Sequence, residues 1–351
     1  MRVMQSFPEG RDTTNPYLVQ LMQGLQPHVR VTGLSWRRAL TERVDVFHVH
    51  WPELLLRAGT PGRRMLRRTL VRMLLVKWRL QRTAIVRTLH NTHSHEALPR
   101  ADRRLLSRLD DQTSLFIRLN PTTEAPFRTA TGLPSGTMPL VHTIMHGDYR
   151  PWFRDAQVPP RVTGRLLNFG LIRPYKGIPA LVAAFAACPD DSRSDTPGLS
   201  LHIVGRPGTD SLRSEITRAA TLDPRIVLAL GHATDHDLVE EIGQAELVVL
   251  PYREMHNSGA ALLALSLNRP VLVPSNDVTE ELGREVGPGW VITYHGPISP
   301  RLLAAAIERS RAIHPASSPD LSDRSWDLIV TQHLAAYQAA IVSRARSRPC
   351  P

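Results

Sequence analysis

The most constraining feature of this 351-residue chain is a regular alternation of short apolar segments with helical patterns, which restarts once. In the first half, segments with strand character cover 2–7, 29–35, 44–50, 84–90, 115–119 and 138–145, and helical patterns cover 16–26, 62–81, 100–109 and 121–130. After the polar, proline-bearing stretch 150–164, further strand segments cover 165–170, 199–204, 225–230, 246–251, 270–274 and 290–294. Helical patterns there cover 177–187, 210–220, 235–245, 258–268, 278–285, 299–313 and 323–345. This alternation predicts parallel sheets covered by helices on both faces.

Two consecutive sets of this alternation predict an α/β protein with two doubly wound, Rossmann-like domains. We expect an N-terminal domain over 1–150, a linker over 151–164, a second domain over 165–322, and a C-terminal helix and tail over 323–351. In doubly wound sheets, ligands bind beyond the carboxyl ends of the strands. The sequence therefore predicts a cleft where strand ends of both domains face each other.

Composition limits the compartment and the partners. The two cysteines give no disulfide framework, and residues 1–10 lack the apolar run of a signal peptide. No segment approaches the roughly 18 to 20 apolar residues that span a bilayer. We therefore expect a cytoplasmic protein that at most lies peripherally on the inner face of the cell membrane.

The net charge of +11 is confined to the first half of the chain. Residues 1–150 hold 23 Lys and Arg against 11 Asp and Glu, whereas residues 151–351 hold 20 against 21. The first half is therefore the part expected to face an anionic surface.

Residues 63–82, RRMLRRTLVRMLLVKWRLQR, concentrate this charge in a predicted helix with eight cations and no carboxylate. Helical spacing places one apolar arc toward the sheet: Met65, Leu66, Thr69, Leu70, Met73, Val76 and Leu80. The opposite arc mixes cations with Val71, Leu75 and a tryptophan, as in a helix lying among lipid headgroups. The predicted membrane contacts are Arg64, Arg68, Arg72, Trp78 and Arg79. An ordinary helix with a solvated basic face remains open, and nucleic acid is disfavoured because no recognition module and only 5% aromatic residues are present.

A first anion-binding signal is LLNFGLIRPYKGIPAL, residues 166–181. A strand ends there, a basic loop follows, and a helix begins just after Lys176 and Gly177. Arg173 and Lys176 thus stand three positions apart at a helix N-terminus, where backbone N–H groups already favour an anion. The spacing predicts a diphosphate clamp, and two solvated loop charges are the alternative.

A second signal is PYREMHNSGAALLALSLNRPVLVP, residues 251–274. A buried strand ends at Pro251, and an apolar helix starts after a short loop. Asn257 or Ser258 can cap that helix, and Gly259 would let a phosphate approach the backbone. A plain helix N-cap is the alternative.

Together these stretches resemble the nucleotide-binding domain of GT-B glycosyltransferases. In that family, an Arg and a Lys of an R…KG loop neutralise the donor diphosphate, and here Arg173, Lys176 and Gly177 match them. Asn268-Arg269-Pro270-Val271 stands where the family has GRPV. Retaining members carry two glutamates eight positions apart around this helix. Here Glu254 lies near the first position and the apolar Leu263 near the second. This pattern is more similar to bacterial exopolysaccharide-type transferases, including GDP-mannose:glycolipid β-mannosyltransferases.

The resemblance implies a metal-independent glycosyltransferase without a cofactor besides its co-substrate. It would move a sugar, mannose by resemblance, from a nucleotide-sugar such as GDP-mannose to a glycolipid or polysaccharide-precursor acceptor. The expected donor-binding residues are Arg173, Lys176, Gly177, Glu254, Asn257, Ser258 and Gly259. No metal site is expected, since His90, His93 and His95 are crowded on one loop for tetrahedral zinc.

On the acceptor side, polar residues follow three predicted strands, in segments 9–17, 45–53 and 87–96. An inverting transferase needs a group that takes the proton from the attacking hydroxyl. The candidates are Asp12, Glu53, Glu96, His90 and His95, and the sequence does not choose among them. By resemblance, His90 contacts the donor sugar, although a structural role for each histidine stays open.

Three other functions remain compatible with the sequence. These are a retaining transferase of the same fold, a sugar-nucleotide enzyme such as an epimerase, and a non-catalytic nucleotide-sugar-binding subunit of a polysaccharide assembly complex. The acceptor, the linkage and the oligomeric state are left open.

Overall fold

The structure is a computed structural model that describes residues 1–9, 15–90, 98–121, 140–189, 198–253, 255, 259–314 and 316–346. The chain divides into two compact units, one formed by 1–147 with 323–351 and the other by 148–322. The segment 151–164, expected as a linker, therefore lies inside the second unit. The C-terminal segment, expected to follow the second domain, belongs to the first unit.

The first unit is built on a six-stranded parallel sheet in the order β2-β1-β3-β4-β5-β6. The strands are β1 (Arg2–Gln5), β2 (Arg30–Thr32), β3 (Val46–Val49), β4 (Ala84–Leu89), β5 (Thr113–Arg118) and β6 (Leu140–Thr143). The described helices of this unit within residues 1–147 are α1 (Pro16–Leu25), α2 (Trp36–Thr41), α3 (Pro61–Gln81) and α4 (Arg100–Asp111), with a 3-10 turn at Pro52–Leu55.

The second unit repeats this plan in the order β12-β11-β10-β7-β8-β9. Its strands are β7 (Arg165–Phe169), β8 (Ser200–Val204), β9 (Ile226–Ala229), β10 (Leu247–Val249), β11 (Val271–Pro274) and β12 (Val291–Tyr294). Its helices are α5 (Ile178–Ala186), α6 (Asp210–Thr221), α7 (Asp235–Gln244), α8 (Gly259–Ser266), α9 (Asp277–Val286) and α10 (Pro300–Arg311). The last helix, α11 (Trp326–Arg346), packs with α1 on the first sheet, where it buries Ala336, Tyr337 and Ala340.

Each sheet has a point where the direction of winding reverses. In the first sheet β2 lies on one side of β1 and the chain then continues with β3 on the other side. In the second sheet the chain passes through β7, β8 and β9, and then returns to pair β10 with β7. Crevices that bind ligands form at such reversal points, at the carboxyl ends of the strands. The two edges of interest are therefore those after β1 and β3, and after β7 and β10.

The predicted fold class is confirmed, and each of the twelve predicted strands is present. The helix predicted over 121–130 lies outside the described residues. The sequence pattern does not predict α2, a helix of six residues with one buried side chain, Ala39. Among the helices that the structure describes, none combines the length and the hydrophobicity needed to cross a bilayer.

The prediction of which side of α3 faces the sheet was wrong. Val71, Leu74, Leu75 and Trp78 are buried, and the Trp78 ring stacks on Phe47 of β3 with the ring centroids 4.1 Å apart. The residues predicted to face the sheet lie outside instead: Met65, Leu66, Met73, Val76 and Leu80 are 52–79% exposed. Of the apolar side chains on the two faces of α3, tryptophan has the largest apolar area to bury. The face that carries Trp78 therefore packs on the sheet. Trp78 is consequently excluded as a membrane contact.

The cations of α3 fall into two groups. Arg68 is ion-paired with Asp102 of α4 at 2.5 Å, the Arg67 guanidinium lies 4.6 Å from the Trp36 ring centroid, and the Lys77 ammonium binds the carbonyls of Ala39 and Glu42. Arg68, predicted to contact a membrane, is therefore engaged within the protein. Arg64, Arg72 and Arg79 remain exposed.

Candidate active site

The loop after β7 positions the two cations predicted to bind a diphosphate. Arg173 precedes a 3-10 turn at Pro174–Lys176, and Gly177 ends that turn and opens α5. Gly177 adopts a left-handed φ of +68°, and a Cβ there would lie 2.4 Å from the carbonyl oxygen of Pro251. Only glycine fits both constraints, so this residue lets the loop after β7 approach the end of β10.

Lys176 is partly buried and lies over an aromatic ring. Its Nζ atom is 4.7 Å from the centroid of Tyr252, which follows β10. Burial, with a smaller effect of nearby Arg173, lowers the pKa of Lys176 to about 8. An anion that enters the loop would stabilise the charged form of Lys176, because it would offset both the burial and the repulsion from Arg173.

Arg173 extends over the neighbouring loop, which follows β8. Ile172 donates its backbone N–H to the Arg206 carbonyl at 2.9 Å, and Gly208 donates to the Ile172 carbonyl at 2.8 Å. A Cβ on Gly208 would lie 3.1 Å from Arg173 Nη1, so the glycine leaves room for the guanidinium. Within the described ranges, neither Arg173 nor Lys176 pairs with a carboxylate. Two cations at a winding reversal have the charge that a polyanionic ligand would require.

The second predicted donor element is described only in part. Glu254, Asn257 and Ser258 lie outside the described residues. Gly259 begins α8, and a Cβ there would lie 3.0 Å from the Tyr149 hydroxyl. Leu263 packs against the hydrophobic core of the unit, and Arg269 is buried, donating hydrogen bonds to the Gly243 and Pro159 carbonyls. Arg269 therefore stabilises the fold.

His90 lies just beyond β4 in the first unit and is 8% exposed. Its Nε2 is 3.0 Å from Nδ1 of His50, which follows β3, and the Trp51 indole stacks on its ring at 4.1 Å. Burial is the main cause that lowers the pKa of His90 to about 3. The imidazole is therefore neutral at physiological pH, and so weak a base is suited to hydrogen bonding rather than to removing a proton.

Glu53 is the one predicted acid/base candidate with a carboxylate that the structure describes, since Asp12 and Glu96, like His95, lie outside the described residues. It lies in the 3-10 turn Pro52–Leu55 and is half-buried. Its carboxylate makes no hydrogen bond or ion pair with any described residue. It follows His50 by three positions, at the carboxyl edge of β3.

The sequence reasoning missed several side chains that shape these edges. Tyr252 lies within the segment 251–274 but was not predicted to have a role of its own, and it supplies the ring beneath Lys176. His50 and Trp51 contact His90, and Gln5 contacts His50. The signal was available, since adjacent parallel strands that both end in histidine bring those ends together. Among the described residues, no group of three or more His, Cys, Asp or Glu is arranged to hold a metal ion.

Comparisons with known proteins identify the family to which the chain belongs. Residues 163–310 match the family model of glycosyl transferases group 1. Over 339 residues, the chain is 41% identical to a GDP-mannose:glycolipid 4-beta-D-mannosyltransferase of Xanthomonas campestris pv. campestris, covering 97% of this chain and 92% of the relative.

Solved structures share the fold at low sequence identity. Anabaena Alr3699/HepE, crystallised in complex with UDP and glucose, superposes with a TM-score of 0.59 at 15% identity, covering 99% of this chain and 98% of that one. AviGT4, a glycosyltransferase involved in avilamycin A biosynthesis, gives a TM-score of 0.59 at 16% identity, covering 97% and 98%. The chain therefore belongs to the glycosyltransferase family of the Xanthomonas mannosyltransferase, and it is a glycosyltransferase with the GT-B fold.

Proposed function

We propose that this enzyme transfers mannose from GDP-mannose to a lipid-linked saccharide with inversion at the anomeric carbon. The activity of the Xanthomonas relative, a GDP-mannose:glycolipid 4-beta-D-mannosyltransferase by name, supports the donor, the glycolipid acceptor and a β-linked product. Since the mannose of GDP-mannose is α-linked, a β-linked product requires a single inverting displacement. The proposal is carried by Arg173 and Lys176, two cations at the reversal between β7 and β10 that form no ion pair with any described residue.

The donor diphosphate would be held by Arg173 and Lys176 above the Gly177 turn. In the reaction, the bond from the sugar C1 to the diphosphate oxygen breaks while the acceptor oxygen bonds to C1. Negative charge grows on the departing GDP, and two fixed cations stabilise it more in the transition state than in the ground state. Leu263 supports inversion, because this apolar side chain lies near the position where retaining members of the family resembled carry their second glutamate.

The proton of the acceptor hydroxyl must pass to a base as the new bond forms. Glu53, Asp12 and Glu96 are the proposed candidates, and the neutral His90 would contact the donor sugar. Glu53→Gln, Asp12→Asn and Glu96→Gln separate the three carboxylates. The variant that lacks the catalytic base should have a kcat at least about a hundredfold lower than the wild type, with an unchanged affinity for the donor. Wild-type turnover in all three variants would reject the whole set.

Calorimetry with GDP, UDP, ADP and their sugar conjugates tests the donor site directly. Arg173→Ala and Lys176→Ala should each weaken the binding of GDP-mannose by at least about tenfold, since each loses a charge-assisted contact to phosphate. Arg218→Ala is the control, because Arg218 is an exposed cation on α6. Preference for a uridine or adenine nucleotide would reject the proposed donor, and equal effects of all three substitutions would reject the site.

We also propose that the outer face of α3, formed by Met65, Leu66, Met73, Val76 and Leu80, binds an anionic bilayer. These side chains surround Thr69 on the side of the helix opposite Trp78. Arg72 and Arg79 flank the face, and the adjacent α4 adds exposed cations at Arg100, Arg103, Arg104 and Arg108. Apolar side chains within a basic rim match lipid tails below anionic headgroups, which is where a lipid-linked acceptor would be met.

Flotation with vesicles of phosphatidylglycerol and phosphatidylcholine tests this face. Leu80→Ser should lower vesicle binding several-fold by removing buried apolar area, and Arg72→Gln with Arg79→Gln should lower it by about tenfold or more, at about 1 kcal/mol per cation. Leu222→Ser is the matched control, because Leu222 is 84% exposed and Leu80 is 79% exposed. Equal binding by all variants, or equal loss in Leu222→Ser, would reject the proposed face.

A further inference from the structure

The segment that follows β10 is tied to the loops on both of its sides. Arg253 donates its backbone N–H to the Tyr175 carbonyl, in the loop after β7, at 2.9 Å. The Met255 carbonyl accepts a hydrogen bond of 3.0 Å from Nδ2 of Asn276, which follows β11. Since β10 lies between β7 and β11 in the sheet, these two contacts hold the segment from opposite sides.

The orientation of the Asn276 amide is fixed by the helix that it caps. Its Oδ1 accepts hydrogen bonds from the backbone N–H groups of Val278 and Thr279, both at 3.0 Å, at the start of α9. Two N–H donors require an oxygen at that position, so the amide nitrogen faces Met255. A carbonyl oxygen can only accept, and the contact with Met255 therefore has a single possible direction.

Thr279 completes the same cap without touching Met255. Its hydroxyl oxygen accepts the backbone N–H of Asn276 at 3.0 Å, and the hydroxyl donates to the Pro274 carbonyl at 2.8 Å. The side chain of Thr279 is 1% exposed. Capping of α9 thus uses Oδ1 of Asn276, whereas Nδ2 serves the segment after β10. Because the two contacts use different atoms, substitutions can separate them.

Tyr252 and Met255 show what the Asn276 contact stabilises. Both side chains lie in the core of the second unit, and the Tyr252 ring lies 4.7 Å from Lys176 Nζ. We propose that Asn276 is a positioning residue of the donor site, which acts through the Met255 carbonyl to hold Tyr252 against Lys176. The part of this inference that concerns donor binding rests on the proposed function, whereas the effect on Lys176 does not.

The lysine content of the chain allows a test that needs no substrate. Lys77 and Lys176 are the two lysines of the sequence, so protein labelled with 13C-lysine gives two sets of side-chain signals. An NMR titration from pH 6 to 10.5 measures the pKa of Lys176, and the spectrum of Lys176→Arg identifies the signals of Lys77. Lys77 is an internal control, because its ammonium binds the carbonyls of Ala39 and Glu42 in the first unit.

Asn276→Ser and Asn276→Asp both remove the amide N–H group and keep an oxygen that caps α9. In the neutral Asn276→Ser, water should reach Lys176 through the loosened segment, and the pKa of Lys176 should rise from about 8 toward the ordinary value of about 10.4. Both variants should have a KM for GDP-mannose about five- to tenfold higher than the wild type, the effect of one hydrogen bond. The KM for the glycolipid should stay unchanged.

Thr279→Val is the matched control, because it removes the other half of the cap and leaves Nδ2 of Asn276 in place. It should lower the melting temperature by about 2 to 4 °C. The pKa of Lys176 and the KM for GDP-mannose should keep their wild-type values. Equal changes of this pKa in Thr279→Val and Asn276→Ser would overturn the proposal, since capping alone would then explain them.

The two readouts separate the possible failures. A wild-type pKa of Lys176 in folded Asn276→Ser would overturn the proposal, whatever the enzyme transfers. A raised pKa, in an enzyme whose wild type does not turn over GDP-mannose, would support the positioning role and reject the proposed function. Should Asn276→Ser fail to fold, Asn276→Asp keeps the shape of the side chain, and a wild-type KM for GDP-mannose in that variant would overturn the proposal.

Discussion

At the scale of single residues, the charge of Lys176 links donor binding to pH. Its pKa of about 8 is lowered mainly by burial, and a bound diphosphate favours the charged form. Binding above pH 8 must therefore be accompanied by proton uptake. We expect the affinity for GDP-mannose to fall by up to about tenfold per pH unit above 8.

Lys176→Arg is the control for this pH dependence, because a guanidinium stays charged throughout the range. Calorimetry measures the affinity of both proteins for GDP-mannose from pH 7 to 9.5. The titration of the nucleotide itself affects both proteins equally and therefore cancels in the comparison. Parallel curves for the two proteins would contradict the assigned role of Lys176.

Tyr252 offers a second test at this scale. Its ring lies under the Lys176 ammonium, while its buried hydroxyl has no hydrogen-bond partner among the described residues. Tyr252→Phe keeps the ring and should leave GDP-mannose affinity unchanged. Tyr252→Leu removes a cation–π contact of about 0.5 to 2 kcal/mol and should weaken binding measurably. Equal affinities for the two variants would show that the ring does not support the cation.

The sequence was informative about charges and less so about their surroundings. Arg173, Lys176 and Gly177 are recognisable because a basic loop, a glycine and a helix start are local in the chain. The contacts Tyr252 to Lys176 and Gln5 to His50 join residues 76 and 45 positions apart. Such pairs follow from the strand order, which local patterns do not determine.

At the scale of elements, α3 shows why periodicity can predict a helix and still misplace it. Apolar residues occur on both of its sides, so spacing alone leaves two candidate faces. The stacking of Trp78 on Phe47 and the Arg68–Asp102 ion pair select between them. The same long-range contacts turn an apolar stripe outward that the sequence assigned to the core.

Substitutions on the two sides of α3 should therefore differ in stability. Trp78→Ala removes a fully buried ring and should lower the free energy of unfolding by about 3 to 5 kcal/mol. Leu80→Ala, on the exposed side, should change it by less than about 0.5 kcal/mol. Urea denaturation measures both free energies of unfolding. A larger loss of stability in Leu80→Ala than in Trp78→Ala would support the orientation predicted from the sequence, with Leu80 facing the sheet.

At the scale of the whole molecule, a group of buried neutral histidines makes the first unit sensitive to acid. Burial lowers the pKa of His90 to about 3 and those of His146 and His333 to about 4, and those of His48 and His50 are also well below normal. The unfolded chain takes up these protons near pH 6.5, while the folded chain does not. Stability is thus present above about pH 6.5 and is lost as pH falls, by up to about 1.4 kcal/mol per unit for each histidine.

Thermal denaturation between pH 7.5 and 5 checks this prediction, since most carboxylates titrate below that range. The melting temperature should fall steeply below pH 6.5. His333→Leu removes one titrating group and should make the decline shallower. A melting temperature independent of pH over this range would mean that the histidines are accessible to protons in the folded state.

The fold as a whole was largely predictable, because strand–helix alternation determines the layers of a parallel sheet. The place of α11 was not. Its apolar residues indicate a packed helix but not the sheet that receives it, and only tertiary contacts of Tyr337, Ala336 and Ala340 assign it to the first unit.

A product assay tests the transfer of mannose most directly. Enzyme is incubated with isotopically labelled GDP-mannose and a bacterial glycolipid extract, and the organic phase is analysed for label and for the anomeric configuration of the new linkage. We predict labelled glycolipid with a β-linked mannose from the wild type, at least about tenfold less from Lys176→Ala, and none from UDP-glucose. Labelled lipid obtained only from another nucleotide-sugar, or an α-linked mannose, would contradict the account.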